Sequence, residues 1–158
     1  MKNILFVCTG NTCRSCMAEA ILKRLLNERK IDDEYSSSSA GIYALEGEHA
    51  SANAILAMEE MGIDIKNHRA RQINFDDING AYIIFTMTMN HKKIIMSKYP
   101  ISIGEVFSLK EYADGTEDDI YDPYGGDIDT YRKCALELET YVTKVMDKLI
   151  EHDKGAAK

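Results

Sequence analysis

Proline is scarce: Pro100 and Pro123 are the only two in 158 residues. No Pro-rich stretch marks a linker, and no repeat or low-complexity tract is present beyond the serine run Ser36 to Ser39. One domain over residues 1–158 is expected, within the usual ~100–200 residues per domain. Long apolar runs are missing too, and nothing approaches the ~20 residues of a membrane span. Before Gly10 the chain has one basic and six apolar residues. That is shorter than the apolar core of a secretory signal, and no small-residue cleavage site follows, so the cytoplasm is the expected location. Positive charge is also short: 19 Lys plus Arg face 26 Asp plus Glu, a formal charge of −7. This argues against general nucleic-acid binding, which needs a basic face, and against docking on anionic membrane.

What is present is ordinary for a globular chain, with 45% hydrophobic and 28% charged residues. A chain of this length buries about 70% of its unfolded surface and needs no disulfide or metal staple. Its four cysteines (Cys8, Cys13, Cys16 and Cys134) are expected as thiols, and three of them crowd together near the start, which suggests chemistry rather than cross-linking.

The chain alternates strand and helix. Ile4-Leu5-Phe6-Val7 is a short apolar run suited to a parallel strand covered on both faces. Ser15 to Lys30 reads as an amphipathic helix, with Met17, Ile21 and Leu25 flanked by Leu22 and Leu26 on one side and Glu19, Lys23, Arg24 and Glu28 on the other. Weaker strand character spans Tyr35 to Ala40, and a helix from Ala50 to Met61 stops at Gly62. Tyr82 to Met87 is the strongest strand, rich in β-branched and aromatic residues. Asn90 caps a helix that runs to Lys98 and closes at Pro100, Glu105 to Leu109 forms a fourth strand, and a last helix spans Ile128 to His152. The expected fold is α/β, a three-layer sandwich whose parallel sheet binds ligands at the carboxyl ends of its strands.

At the carboxyl end of the first strand stands Cys8-Thr9-Gly10-Asn11-Thr12-Cys13-Arg14-Ser15. Successive backbone N–H groups feeding a helix N-terminus surround an anion with donors. Gly10 permits a positive φ, Asn11 tolerates left-handed backbone, and Arg14 adds a planar fork for two phosphoryl oxygens. The same field favours the thiolate form of Cys8, to which Ser15 or Thr9 is placed to donate. The plainer reading of Cys-x5-Arg is a buried thiol at a strand end beside a glycine turn, but its place between a strand and an amphipathic helix favours the anion cradle. Asp122-Pro123-Tyr124-Gly125-Gly126 offers a proton donor, with Pro123 stiffening the backbone and Tyr124 walling a pocket. Alone, such a sequence is a turn.

Together these residues resemble the low-molecular-weight protein tyrosine phosphatases and their bacterial protein-arginine-phosphatase branch. The matches include Val7 through Ser15, Met17-Ala18-Glu19-Ala20, Ser39-Ala40-Gly41, His68 with Ala70-Arg71-Gln72, and Asp122-Pro123-Tyr124. The resemblance implies a four-stranded parallel sheet, no metal and no cofactor. It implies Cys8 as nucleophile forming a phosphocysteine, Arg14 as phosphoryl clamp and Asp122 as general acid, then base. Asn11, Ser15, Ser39 and His68 match positions that hold the cradle in shape. Thr12, Tyr43 and Tyr124 are expected to line the substrate pocket, and phosphorylated proteins are the expected substrates of a monomeric enzyme.

Thr12 departs from the tyrosine-specific pattern, as do Gly125 and the loop Tyr43-Ala44-Leu45, which lacks tryptophan. Thr12, Gly125-Gly126, His91-Lys92 and Phe107 to Tyr112 look more like the arginine branch. A threonine hydroxyl can bond a guanidinium that an apolar side chain would leave unpaired. Seven acids and no base lie between Ala113 and Thr130, an acidic rim that suits a guanidinium-bearing substrate, although such a run is more often a solvated loop. The expected activity is therefore hydrolysis of phosphoarginine on proteins, with phosphotyrosine as the alternative. A different class, an arsenate-reductase-like oxidoreductase, needs a relay of further cysteines, and Cys134 falls on the apolar stripe of the last helix. A phospho-residue binder without catalysis would not need nucleophile, clamp and acid together. Cys13-x2-Cys16 lacks the second ligand pair that zinc requires. Cys13 is expected to trap oxidised Cys8, with Cys16 as a competitor.

Overall fold

The computed structural model describes residues 1–99 and 105–156. Its elements are β1 (Lys2–Cys8), α1 (Arg14–Glu28), β2 (Tyr35–Gly41), α2 (Ala52–Glu60), α3 (Phe75–Gly80), β3 (Ile83–Thr86), α4 (Met89–Lys98), β4 (Val106–Ser108), α5 (Leu109–Asp114) and α6 (Ile128–Ala156). The strands form one parallel sheet in the order β2-β1-β3-β4, with Ile4 opposite Ser37 on one side and Ile83 on the other. The chain leaves β1 toward β2, then crosses back to β3. The carboxyl end of β1 is thus the topological switch point, where such sheets open a crevice.

Alternation along β1 feeds two cores. Ile4, Phe6 and Cys8 pack with residues of α1, α2 and α6, whereas Leu5 and Val7 pack with Ile42, Ile78 of α3 and Ile95 of α4. Burial on both faces explains why the run reads as continuously apolar. β2, with its serines, lies at the sheet edge beside β1, its end bridged at Gly41 to Gln72, and its polar side chains find partners: Ser37 Oγ donates to Glu19 O at 3.0 Å, and Ser36 Oγ to Asn3 Oδ1 at 3.0 Å.

Three details differ from the sequence reading. Thr88, not Asn90, caps α4, its hydroxyl accepting from His91 N at 3.0 Å. The helix therefore begins two residues earlier than a cap at Asn90 implies, and Pro100, read as its stop, lies outside the described residues. Two six-residue helices, α3 and α5, were not anticipated. Both are too short to show a hydrophobic stripe, yet both carry a legible start signal, the capping boxes Asn74-x-x-Asp77 and Ser108-x-x-Glu111. Finally, Glu19 is not a solvated residue of α1, because its carboxylate receives the Ser39 hydroxyl at 2.5 Å.

Phe85 on β3 has no exposed surface and packs its ring 6.1 Å from Phe6 and 5.2 Å from Tyr112. Phe85→Ala should destabilise the fold by about 3–5 kcal/mol, the usual cost of emptying such a site. Urea unfolding should show a lower midpoint with an unchanged slope, and a loss of unfolding free energy of under about 1 kcal/mol would contradict this packing.

Candidate active site

The loop from Cys8 to Arg14 wraps the carboxyl end of β1 and turns into α1. Cys13 occupies the cap position of that helix without a side-chain bond to its first-turn N–H groups. A helix start that lacks a side-chain cap leaves N–H donors available to a bound anion. Only one loop residue takes a positive φ, and it is Asn11 (59°), not Gly10. The glycine the geometry does require is Gly41, at the end of β2. A Cβ there would lie 2.6 Å from Thr9 O and 3.1 Å from Asn11 N, so only hydrogen lets the cradle lie against the strand.

Asn11 is fully buried and bonds in four directions. Its Nδ2 donates to Ser15 Oγ at 2.8 Å and to Ser39 Oγ at 2.9 Å. Its Oδ1 accepts from Arg71 N at 3.0 Å, and its carbonyl accepts from His68 Nε2 at 2.7 Å. Because a carbonyl only accepts, His68 must carry its proton on Nε2. The Asn11 amide donates to Ser15, whose oxygen stands 2.8 Å from Cys8 Sγ, where its hydroxyl proton is placed to donate to a thiolate. Ser15, rather than Thr9, therefore faces the sulfur. Thr9 Oγ1 instead meets His91 Nε2 at 3.0 Å. Sequence reasoning placed Asn11, Ser15, Ser39 and His68 in one support, and the structure brings all four together. It missed Glu19, although Met17-Ala18-Glu19-Ala20 was among the matching segments.

Arg14 is buried at the cradle's rim. Its Nη1 donates to Ile120 O at 3.0 Å, and its Nη2 stands 3.6 Å from Asp122 Oδ2, whose side chain is 55% exposed. The Asp122 loop is fixed from below, since Ile120 N donates to Met87 O at 2.9 Å and Asp119 Oδ1 accepts from Met89 N at 2.9 Å. Tyr124 N donates to Asp122 Oδ1 at 3.1 Å, and Gly126 N to Pro123 O at 2.8 Å, with Gly125 at φ 78°. The expected turn is there, and it points Asp122 at the guanidinium of Arg14.

These parts enclose a pocket of about 360 Å³, with Cys8, Gly10, Thr12 and Arg14 lining it together with Asp122, Tyr43 and Tyr124. Leu45 and Glu48 line it too, which the sequence did not suggest. The loop that carries them is held by Gln72, whose Oε1 accepts from Ala44 N at 2.9 Å and whose Nε2 donates to Ile42 O at 2.7 Å. A second cavity of about 390 Å³ lies behind the support, against Cys16, Glu19, Ser39 and His68, and touches neither Cys8 nor Arg14. Among the described residues, no cluster of three or more His, Cys, Asp or Glu is arranged to hold a metal ion, and no helix is long and apolar enough to cross a membrane.

The remaining thiols are set apart. Cys13 Sγ lies 3.3 Å from Tyr131 Oη and 3.5 Å from Ser51 Oγ. Cys16 donates to Cys13 O at 3.2 Å, and burial, reinforced by Cys8 and Cys13, pushes its thiol well above the usual range. Cys134 is buried on α6, and burial raises it to about 12.

The fold and this cradle define a class of α/β proteins that offer a bound oxyanion to a cysteine at the switch point of a parallel sheet. Residues 3–155 match the family described as Low molecular weight phosphotyrosine protein phosphatase, and the chain belongs to that family. The Protein-arginine-phosphatase of Geobacillus stearothermophilus is 42% identical over 146 residues, 92% of this chain and 95% of that relative. The Low molecular weight protein-tyrosine-phosphatase PtpB of Staphylococcus haemolyticus is 38% identical over 142 residues, 90% of this chain and 96% of that one. Among solved structures, a cysteine-to-serine mutant of the YwlE arginine phosphatase, with a phosphorylated active-site serine, superposes with a TM-score of 0.89. It is 35% identical, and the match covers 93% of this chain and 95% of that chain.

His91 gives this site a pH signature. Burial, and then the charge of Arg14, lowers its pKa from 6.5 to about 4, against the weaker pull of Asp119 and Asp122. Between those values the unfolded chain binds a proton that the native state refuses, so stability should fall as pH drops from 6.5 toward 4. His91→Gln should flatten that slope by up to one proton in urea titrations across the interval. An identical slope in the variant would show that His91 does not set it.

Proposed function

We propose that the chain is a cysteine-dependent phosphatase that removes phosphate from arginine residues of proteins through a phosphocysteine intermediate. The observation that carries the reading is the alignment of Cys8, Arg14 and Asp122 on one pocket, with Ser15 Oγ 2.8 Å from the sulfur. Cys8 thiolate attacks phosphorus while the bond from phosphorus to the guanidinium nitrogen breaks, and Asp122 gives its proton to that nitrogen. Arg14 and the loop N–H groups hold the three equatorial oxygens as charge spreads over them. A water then attacks phosphorus, Asp122 takes its proton, the sulfur leaves as thiolate and inorganic phosphate departs. The serine that carries phosphate in the YwlE mutant stands in for such a cysteine in that relative. Residues 1–158 act as one domain in this reading, working as a monomer in the cytoplasm.

The preference for arginine rests on Thr12. It lines the pocket, and its backbone carbonyl accepts from Ser51 N at 3.0 Å, which anchors it between cradle and α2. Its hydroxyl offers an acceptor to the N–H groups of a guanidinium, where a phenyl ring offers none. Thr12→Ile should weaken phosphoarginine by about 1–3 kcal/mol, the penalty for leaving a buried polar group unpaired. Paired assays should show a fall of about tenfold or more in kcat/KM for phosphoarginine relative to phosphotyrosine peptides. An unchanged ratio removes the basis for choosing arginine.

The same thiolate is open to oxidation. Peroxide converts it to a sulfenic acid with release of hydroxide, and a neighbouring thiol closes a disulfide with release of water. Cys13 is the partner this site favours, because burial and its hydrogen bond hold Cys16 as an unreactive thiol. Peptide mapping after mild peroxide should find Cys8 joined to Cys13, with activity restored by a dithiol. Over-oxidised Cys8 without a disulfide, under gentle dosing, is the outcome that rejects this.

A further inference from the structure

The pocket holds a carboxylate that the proposed reaction leaves unused. Glu48 lines it alongside Cys8 and Arg14, and it is exposed at the mouth. Its side chain has no hydrogen bond or ion pair among the described residues. Its backbone, in contrast, is firmly placed. Ala70 N donates to Glu48 O at 2.8 Å, Gly47 N donates to Ala70 O at 2.9 Å, and Glu46 Oε1 of the same turn accepts from Gln72 N at 2.7 Å.

The acids from Ala113 to Thr130 do not supply the rim expected from sequence. Asp114 pairs with Lys144, Asp119 accepts from Met89 N, Asp127 accepts from Thr130 N, and Asp129 pairs with Arg132. Of that run only Asp122 lines the pocket, and it faces Arg14. Glu48 is therefore the one pocket carboxylate without a protein cation beside it. A negative charge next to an oxyanion site repels the ligand the site is built for, unless the substrate itself supplies a cation. Exposed Tyr43 and Leu45, on the same loop, flank the mouth where the residues next to a phosphorylated side chain would run.

We infer that Glu48 is a specificity-determining residue that selects phosphorylated segments whose neighbouring residue is Lys or Arg and disfavours segments with acidic neighbours. The inference rests on the phosphatase reading above, but not on the choice of arginine over tyrosine.

The test is a set of peptides with one phosphoarginine and a single adjacent Lys, Gln or Glu, and a matching set built on phosphotyrosine. Wild type should follow the order Lys, Gln, Glu in kcat/KM, about 2–5-fold per step and mostly through KM, as expected for an exposed charge pair. Raising the salt should compress the order. Glu48→Gln should flatten it and Glu48→Lys should reverse it, while inorganic phosphate should inhibit Glu48→Gln at lower concentration than wild type. An order that survives in Glu48→Gln overturns the inference, as does an order abolished instead by neutralising Glu117 and Asp118. If Glu48→Gln slows a blocked single phosphoarginine as much as the Lys peptide, the carboxylate reads the guanidinium and the neighbour assignment is wrong. A neighbour order present only in the phosphotyrosine set would refute the arginine reading and leave the role of Glu48 standing.

Discussion

Asn11 is the constraint on which the rest of the site depends. Its side chain has no exposure, and its backbone sits in the left-handed region at φ 59°. A buried amide in that conformation is tolerable only if its polar groups are satisfied. Here both N–H groups of the side chain and its oxygen are used, in directions that cannot be interchanged, because Arg71 N forces the Oδ1 end to accept. The hydrogen-bond polarity then runs one way from Asn11 into Ser39 and on to Glu19, and from Asn11 into Ser15, whose oxygen lies 2.8 Å from Cys8 Sγ. The orientation of one amide thus makes Ser15 an acceptor from Asn11 and leaves its hydroxyl proton available to a thiolate at Cys8.

A similar division of labour surrounds the guanidinium of Arg14. It is buried, so it must be hydrogen-bonded, and Ile120 O meets one end while Asp122 approaches the other. That arrangement ties the Asp122 loop to the cradle. His91, beside it and neutral over the ordinary pH range, adds no competing positive charge. Its Nδ1 is buried without a partner among the described residues, so the bond to Thr9 is its one polar anchor. The two walls of the pocket have different anchors: Arg14 and the segment after β3 hold the Asp122 side, while Gln72 holds the loop after Gly41, which also bonds to the cradle through Ile42 N to Cys8 O and Tyr43 N to Thr9 O.

Much of this was legible in the chain. Hydrophobic period alone marked β1, β3, α1 and α6, because long or doubly buried elements write their pattern strongly. The Cys8 to Ser15 loop was legible as an anion cradle because strand, loop and helix start follow one another within one short segment. Ends were less exact: Thr88 rather than Asn90 caps α4, since both residue types serve as caps and local sequence does not rank them. The short helices α3 and α5 escaped because six residues carry too little periodicity. Gly10 and Asn11 both read as suited to left-handed backbone and only Asn11 adopts it, while the necessity of Gly41 depends on an approach between β2 and the loop after β1.

The sequence by itself determined the sheet, the place of Cys8 at the end of β1 and the family to which the chain belongs, all of which depend on local order along the chain. Only the tertiary structure decided which groups face one another across long separations. It put Glu19 behind Ser39, gave Thr9 to His91 rather than to Cys8, occupied most of the acids after Ala113 with caps and ion pairs, and brought Glu48 to the mouth of the pocket. The physical reason is that a side chain's role follows from its partners and their donor or acceptor capacity. Those partners come from segments that meet only when the sheet closes and its loops gather at one end.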